Sequence, residues 1–396
     1  MNNQLIHRDM ESSLAEALRY LPTVTITGPR QSGKTTLCRT YLSDMPYVNL
    51  EDYSTLDIIQ NDPKGFIDRY PNGVIIDEAQ RWPPIFSYLQ VAVDDDRISG
   101  GSRRFVVSGS SNFALLEKVT QSMAGRTAVL TLLPLTISEI LSKYVDVSTD
   151  ELILRGGFPA MWGTDLRGVD IMMSSYLSTY IERDLRSLLN IKDLHAFQIF
   201  LRLCAGRIGQ EFNASSMAVE VGVSVATIKS WLSILEASYV VHLLQPYYRN
   251  IGKQLTKSPK LYFCDCGLAS WLLGIRTIDQ MSLHPLRGNL FENMIVNDLI
   301  KYDLNRGSSV RYFFYRDKSK REVDLLRTLP DGSIQAFEIK SGRTYSPQYA
   351  KHLVFLRDLL GEQVVTTTVI YDGAENNFVG KDSFVNCREI AKVLIR

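Results

Sequence analysis

The sequence predicts an α/β protein: a parallel sheet around a phosphate-binding loop, then a winged helix-turn-helix, then a second α/β domain carrying acids on paired strands. Three observations predict it. A β-branched run, Val24–Thr27, leads directly into Gly28-Pro-Arg-Gln-Ser-Gly33-Lys34-Thr35, which fits G-x-x-x-x-G-K-[ST]. Residues 213–237 carry the pattern helix, glycine turn, helix. Residues 322–340 read as two strands joined by the turn Pro330-Asp-Gly-Ser333.

The 396 residues suggest two to three domains. With 45% hydrophobic and 22% charged residues, a disordered or fibrous chain is excluded. Lys plus Arg is 44 against 43 acids, so any nucleic-acid surface has to be a local patch. Five cysteines, odd in number and scattered, fit reduced thiols better than a disulfide framework. The start has no basic-then-apolar leader, and the apolar runs fall short of the ~20 residues that cross a bilayer. The expectation is a cytoplasmic protein without a membrane partner.

The glycine loop carries the strongest chemistry. Gly28 and Gly33 let the backbone wrap an anion, and Pro29, Arg30, Gln31 and Ser32 supply the loop between them. The helix expected over Thr36–Leu42 adds the positive end of its dipole. Lys34 would reach the β and γ phosphates of ATP, the Thr35 hydroxyl would ligate Mg²⁺, and Thr36 would close the cradle. Gly73-Val-Ile-Ile76 then reads as a buried parallel strand ending in Asp77-Glu78. Asp77 would complete the Mg²⁺ shell and Glu78 would orient or deprotonate the attacking water, unless the two acids merely cap the helix expected from Ala79. A third strand, Arg104–Ser108, ends beside Ser110 and Asn112, candidates to sense the γ phosphate. Arg126 could supply a guanidinium in cis or from a neighbouring subunit, or lie on the solvated surface.

In the middle of the chain, residues 135–194 read as mainly helical, broken at Gly156-Gly-Phe-Pro159, with the charged run Tyr180–Arg186 beyond. Asn213 and Ser224 are expected caps, and Val225–Ala237 is the expected recognition helix, presenting Ala226, Thr227, Lys229 and Ser230. Strands at Tyr239–Leu244 and Lys260–Phe263 would form the wing. The loop between them holds Arg249, Lys253 and Lys257 with Tyr247 and Tyr248, a composition suited to phosphate contact and base stacking.

Near the carboxyl end, a helix begins close to Phe291, and strands are expected at Arg311–Tyr315, Glu322–Arg327 and Ile334–Lys340. The strand period of two puts Glu338 and Lys340 on one face and Phe337 and Ile339 on the other. The hairpin brings Asp324 across from them. Asp324 and Glu338 would hold Mg²⁺ through hard oxygens, Lys340 would stabilise an attacking hydroxide, and Glu292 would complete the shell. The same residues could instead be an ordinary cross-strand acid–base pair. The five histidines have no metal-ligand spacing, and Cys264-Asp-Cys266 lacks the second pair that zinc requires.

Taken together, the sequence resembles the prokaryotic AAA-type ATPases with a C-terminal DUF4143 domain. The resemblance rests on residues 28–36, Ile75-Ile-Asp-Glu-Ala-Gln80, Leu133-Pro-Leu-Thr136 with Glu139, Gly156–Pro159, Tyr180–Asp184, Gly288 with Phe291-Glu-Asn293, and Glu322-Val-Asp324 with Glu338-Ile-Lys340. It implies an ASCE-type P-loop ATPase domain over 1–145, a helical lid or connector over 146–193, a winged helix over 194–285 and a restriction-endonuclease-like domain over 286–396. Asp324 and Glu338-Ile-Lys340 are similar to the PD-(D/E)xK signature, with Val323 in place of the proline. The function expected is Mg²⁺-dependent ATP hydrolysis whose nucleotide state controls a DNA-binding, and in the fuller reading DNA-cleaving, C-terminal half. The alternative is an ATP-driven switch or self-assembling scaffold whose nuclease-like domain is inactive and binds partners. Homo-oligomerisation is compatible with both.

Overall fold

The structure is a computed structural model that describes residues 5–110, 122–179, 193–247, 258–308 and 310–394. The chain forms two compact units: Met1–Leu135 with two short returning segments, Ala237–Tyr239 and Leu304–Gly307, and the remainder from Thr136 onward.

In the first unit, β1 (Thr23–Thr27), β2 (Tyr47–Asn49), β3 (Gly73–Asp77), β4 (Arg104–Ser108) and β5 (Thr127–Thr131) form a parallel sheet in the order β2-β3-β4-β1-β5. Both faces are covered, which is why these strands read as continuous apolar runs. Val74, Ile76, Phe105 and Val107 pack with Phe86 and Leu89 of the helix Ile85–Ile98. Ile75, Val106, Val24 and Ile26 pack on the other side with Leu14, Leu37 and Cys38. Because β4 lies between β1 and β3, the carboxyl ends of all three strands converge on one edge, where α/β sheets bind ligands.

In the second unit, β6 (Val241–Pro246), β7 (Lys260–Phe263), β8 (Arg311–Arg316), β9 (Glu322–Thr328), β10 (Ile334–Lys340), β11 (Val364–Tyr371), β12 (Asn377–Val379) and β13 (Asp382–Asn386) form one mixed sheet. Its order is β12-β13-β11-β10-β9-β8-β6-β7. β9 and β10 pair antiparallel through a turn in which Gly332 takes φ 85°. Ile334, Ala336, Val323 and Leu326 pack against Leu353 and Leu356 of the helix Lys351–Leu360. The compact units part at residue 135, and β6 and β7 belong to the same sheet as β8–β13. β6 joins β8 through the parallel pairs Gln245–Phe313 and Pro246–Phe314, which ties β6 and β7 into that sheet.

The helices Leu194–Gly206, Ala214–Val221 and Val225–Ala237 precede this sheet. Asn213 Oδ1 accepts from the Ser215 and Ser216 amides, Gly222 turns the chain at φ 78°, and Ser224 Oγ accepts from the Thr227 amide. The last two helices meet at 107°. Two motifs of the preceding segment have structural explanations. Thr136 and Glu139 form a reciprocal capping box on the helix Ile137–Leu141. At Gly156-Gly157, the Gly157 amide donates to buried Asp265 Oδ2 at 2.7 Å, and a Cβ on Gly156 would lie 2.3 Å from Asp265 Oδ1. No single helix among the described residues is long and apolar enough to cross a membrane. Tyr180–Arg186, Asn112, Tyr248, Arg249, Lys253 and Lys257 lie outside the described residues.

Candidate functional site

At the edge where β1, β3 and β4 end, the glycine loop turns into the helix Lys34–Tyr41, which starts two residues earlier than the sequence suggests. Gly28 adopts φ 144° with its Cα against Leu132, where a Cβ would lie 2.2 Å from the Leu132 carbonyl oxygen. Gly33 takes φ 98° at the helix start. Both positions therefore require glycine. Between them Pro29 and Ser32 are buried while Arg30 and Gln31 are exposed, and Gln31 takes φ 62°. Thr36 is exposed on the first helical turn.

The buried Lys34 ammonium donates to the carbonyls of Gly28 at 3.0 Å and Pro29 at 2.7 Å. Burial pulls its pKa down to about 8, although Glu78 and Asp77 oppose the shift. Thr35 Oγ1 donates to Asp77 Oδ2 at 2.7 Å, and Tyr47 Oη donates to the same oxygen at 2.7 Å. Ser108 Oγ donates to Asp77 Oδ1, which also accepts the Glu78 amide at 3.0 Å. An adjacent hydroxyl and carboxylate form an all-oxygen donor set that suits Mg²⁺. Glu78 takes the left-handed conformation, φ 56°, and it does not cap a long helix: Ala79–Arg81 is a single 3₁₀ turn. Gln80 Nε2 donates to Glu78 Oε2 and, at 2.9 Å, to Ser110 Oγ. Burial, reinforced by the charge of Asp77, pushes the Glu78 carboxyl up from its ordinary value.

Arg126 is a correction in cis. It precedes β5, and Thr127 pairs with Thr23 at the amino end of β1, so Arg126 lies at the opposite edge of the sheet from the loop. There its guanidinium makes a bidentate pair with Asp94 at 2.7 and 2.8 Å.

The second unit brings the carboxyl-terminal candidates together. Lys340 Nζ donates to Glu338 Oε1 at 2.6 Å and lies 3.6 Å from Asp324 Oδ2, which accepts the Ile339 amide at 2.7 Å. Glu338 is 4% exposed, its Oε2 is buried without a hydrogen-bond partner, and burial with the nearby Asp324 charge pushes its pKa up to about 8. Beside it opens a cavity of about 560 Å³ lined by Glu338, Lys340, Gln348, Tyr349, Lys351 and His352. The orphaned oxygen of Glu338, next to a second carboxylate, fits a cation. Glu292 does not complete that shell, which corrects the sequence expectation. Its Oε1 accepts from Tyr262 and pairs with Lys260 at 3.3 Å, and among the described residues no three acids, histidines or cysteines are grouped to share a metal ion.

Comparison with known proteins matches three successive stretches of the chain. Residues 21–141 match the model of an AAA domain, residues 147–279 a domain of unknown function (DUF8612), and residues 287–390 a domain of unknown function (DUF4143). The uncharacterized protein Rv2008c of Mycobacterium tuberculosis is 30% identical over 96% of this chain and 82% of its own length. The chain belongs to the AAA-type ATPases that carry a C-terminal DUF4143 domain. A Methanocaldococcus jannaschii protein, MJ1544, is 22% identical over 82% of this chain and 75% of its own. Among solved structures, a Walker-type ATPase of Pyrococcus abyssi aligns with 69% of this chain and 97% of its own, at 13% identity and a TM-score of 0.44.

Several residues of this AAA-type ATPase escaped the sequence reading. Tyr47 and Ser108 reach Asp77 from neighbouring strands, and nothing local to either marks it. Gln80 belongs to the stretch Ile75–Gln80 that carries the family resemblance, so its position was a usable signal. Arg8 is buried and donates to the Ser32 carbonyl at 2.7 Å and the Leu133 carbonyl at 2.7 Å, bracing the loop from the amino terminus.

Proposed function

We propose that this chain is a Mg²⁺-dependent ATPase whose nucleotide state controls a DNA-directed C-terminal half. The observation that carries the proposal is the convergence of Lys34, Thr35, Asp77 and Glu78 at the carboxyl edge of one parallel sheet. The loop amides and Lys34 would bind the β and γ phosphates. Mg²⁺, when held by Thr35 and Asp77, supplies neutralising charge on the phosphate oxygens. Glu78 would accept a hydrogen bond from the attacking water and orient it, with Gln80 linking its carboxylate to Ser110. Steady-state ATP hydrolysis by the full chain tests this. Turnover abolished by chelation of Mg²⁺ is expected; a chain that neither binds nor hydrolyses ATP overturns it.

For the C-terminal half, the angled helix pair and the exposed Ala226, Lys229 and Ser230 support DNA contact through the helix Val225–Ala237. In the fuller form of this reading, Asp324 and Glu338 would hold a divalent cation, which would supply charge for phosphodiester cleavage, and Lys340 would position the attacking hydroxide beside the lined cavity. Incubation with DNA or RNA in Mg²⁺ or Mn²⁺ tests cleavage, with Lys340→Ala expected to lose it. A second reading, an ATP-driven switch or self-assembling scaffold with an inactive nuclease-like domain, is favoured by the pairing of Lys340 with both carboxylates. Nucleotide-dependent assembly without nucleic-acid affinity would select it, whereas salt-sensitive DNA binding would count against it.

A further inference from the structure

Two residues of β7 reach into the acidic cluster from outside the strand pair that the sequence singles out. Lys260 and Tyr262 are two apart on a strand, so they share a face. Lys260 Nζ lies 3.3 Å from Glu292 Oε1 and 2.5 Å from Glu322 Oε1, and Tyr262 donates to Glu292 Oε1. Lys260 is 3% exposed, and its ammonium also stands 5.4 Å from the centre of the Phe314 ring. Burial alone would drive the ammonium neutral, but Glu292, Asp324 and Glu322 outweigh it and hold the group charged.

β7 is itself anchored. The Phe263 amide donates to Asn293 Oδ1 at 2.8 Å, and Asn297 Nδ2 donates to the Phe263 carbonyl at 2.6 Å. The Leu261 amide donates to the Gln210 carbonyl at 3.0 Å, and the Gly209 amide to the Leu261 carbonyl at 2.8 Å. Lys260 therefore projects from a fixed backbone rather than a loose one.

The four acids of the cluster fall into two pairs with different charge balance. Glu292 and Glu322 share the buried Lys260, and Glu322 Oε2 lies 3.6 Å from Arg316 as well. Among the described residues the ion pairs of Asp324 and Glu338 go to Lys340, although the Asp324 charge also acts on Lys260, and Glu338 keeps an unpartnered oxygen. The first pair is matched by two cations, Lys260 and Arg316, and the second by one, with the Glu338 oxygen left over. We propose that Lys260 is a fixed internal cation that satisfies Glu292 and Glu322 and so restricts this site to a single divalent metal ion, held by Asp324 and Glu338. The proposal rests on the metal-binding reading of the C-terminal cluster given above.

Binding of Mn²⁺ to the nucleotide-free full chain, read from the spin-resonance signal of free Mn²⁺, tests it. Asp77→Asn is included throughout to silence the other candidate metal position. The parent chain is expected to bind one Mn²⁺, lost on Asp324→Asn. Lys260→Met is expected to bind a second Mn²⁺ or to bind at least tenfold more tightly. Lys260→Gln, which retains a donor for the two glutamates, serves if the methionine variant does not fold by circular dichroism, and the same gain is expected. Two ions already bound by the parent chain, or unchanged number and affinity in the Lys260 variant, overturn the inference while leaving an Asp324-dependent metal site in place. No Mn²⁺ bound by either protein overturns both the inference and the metal reading on which it rests.

Discussion

Thr35 Oγ1 donates to Asp77 Oδ2 at 2.7 Å, joining the first turn after the glycine loop to the end of a strand 42 residues away. These are the two oxygen-bearing groups to which the proposed mechanism gives Mg²⁺. Their contact brings the first turn of the helix Lys34–Tyr41 to the carboxyl end of β3. Thr35→Val keeps the shape and removes the hydroxyl. The Mg²⁺ concentration for half-maximal ATP hydrolysis is expected to rise about tenfold, the effect of one lost contact to a charged group at ~1.4 kcal/mol. A Mg²⁺ requirement equal to that of the parent chain would remove Thr35 from the metal shell.

Lys34 offers a protonation signature. With its ammonium pulled down to about 8 by burial, a bound polyphosphate raises that value by supplying opposite charge. Binding near pH 8 should therefore take up a proton, and affinity should be flat below that pH and fall as pH rises above it. Calorimetry of ATP binding in two buffers of different ionisation enthalpy reads the proton directly. Lys34→Ala should reduce binding at least 100-fold and abolish the uptake.

Glu78→Gln preserves size and loses the carboxylate proposed to orient the attacking water. Nucleotide binding is expected within about threefold of the parent chain, while turnover falls by roughly 10²–10⁴, the range for loss of a general base. Stopped single-turnover hydrolysis with normal ATP retention is the readout. Unchanged turnover refutes the role assigned to Glu78.

Glu338 is expected to make the second unit sensitive to pH. Its carboxyl is pushed up to about 8 by burial and by Asp324, above its ordinary unfolded value, so the folded state holds this proton more tightly. The stabilising contribution is full below about 4.5 and is lost as pH rises through about 8. Urea unfolding in chelator should show stability from this group declining between pH 5 and pH 8, and Glu338→Gln should flatten that decline. Parallel pH profiles in the two proteins would exclude Glu338 as its source.

Asp265 is the anchor of the Gly156-Gly157 turn, accepting from the Gly157 and Leu268 amides while buried. Asp265→Ala leaves both donors unpaired and should cost about 2–4 kcal/mol of unfolding free energy. Chemical denaturation followed by tryptophan fluorescence checks it, with Trp162 bonded to the Gly156 carbonyl as a local reporter.

Legibility from the sequence followed the range of the interactions. The glycine loop, the Val225–Ala237 helix and the Ile334–Lys340 strand were readable with near-correct bounds, because periodicity, caps and turns act over a few residues. Asp324, Glu338 and Lys340 were also legible, since a hairpin brings close residues together. Tyr47, Ser108 and Arg8 were not, because their partners come from other strands or from the amino terminus. The choice among the readings of Arg126 was not legible for the same reason: its place at the amino edge depends on β5 pairing parallel to β1, which no short window encodes. Lys260 looked like one more wing residue until β6 paired with β8 and carried β7 into the acidic sheet.

The clasp on β7 bears on how copies of this protein behave in a crowded solution. A bare sheet margin is an invitation to foreign strands, yet here Asn293, Asn297 and the stretch 209–212 already consume the outward amides and carbonyls of Leu261 and Phe263. The opposite margin is β12, only three residues long. Accretion of chains onto this sheet through strand addition is thereby hindered at one side and given little purchase at the other, so an assembly built on it would use side-chain surfaces rather than shared ladders.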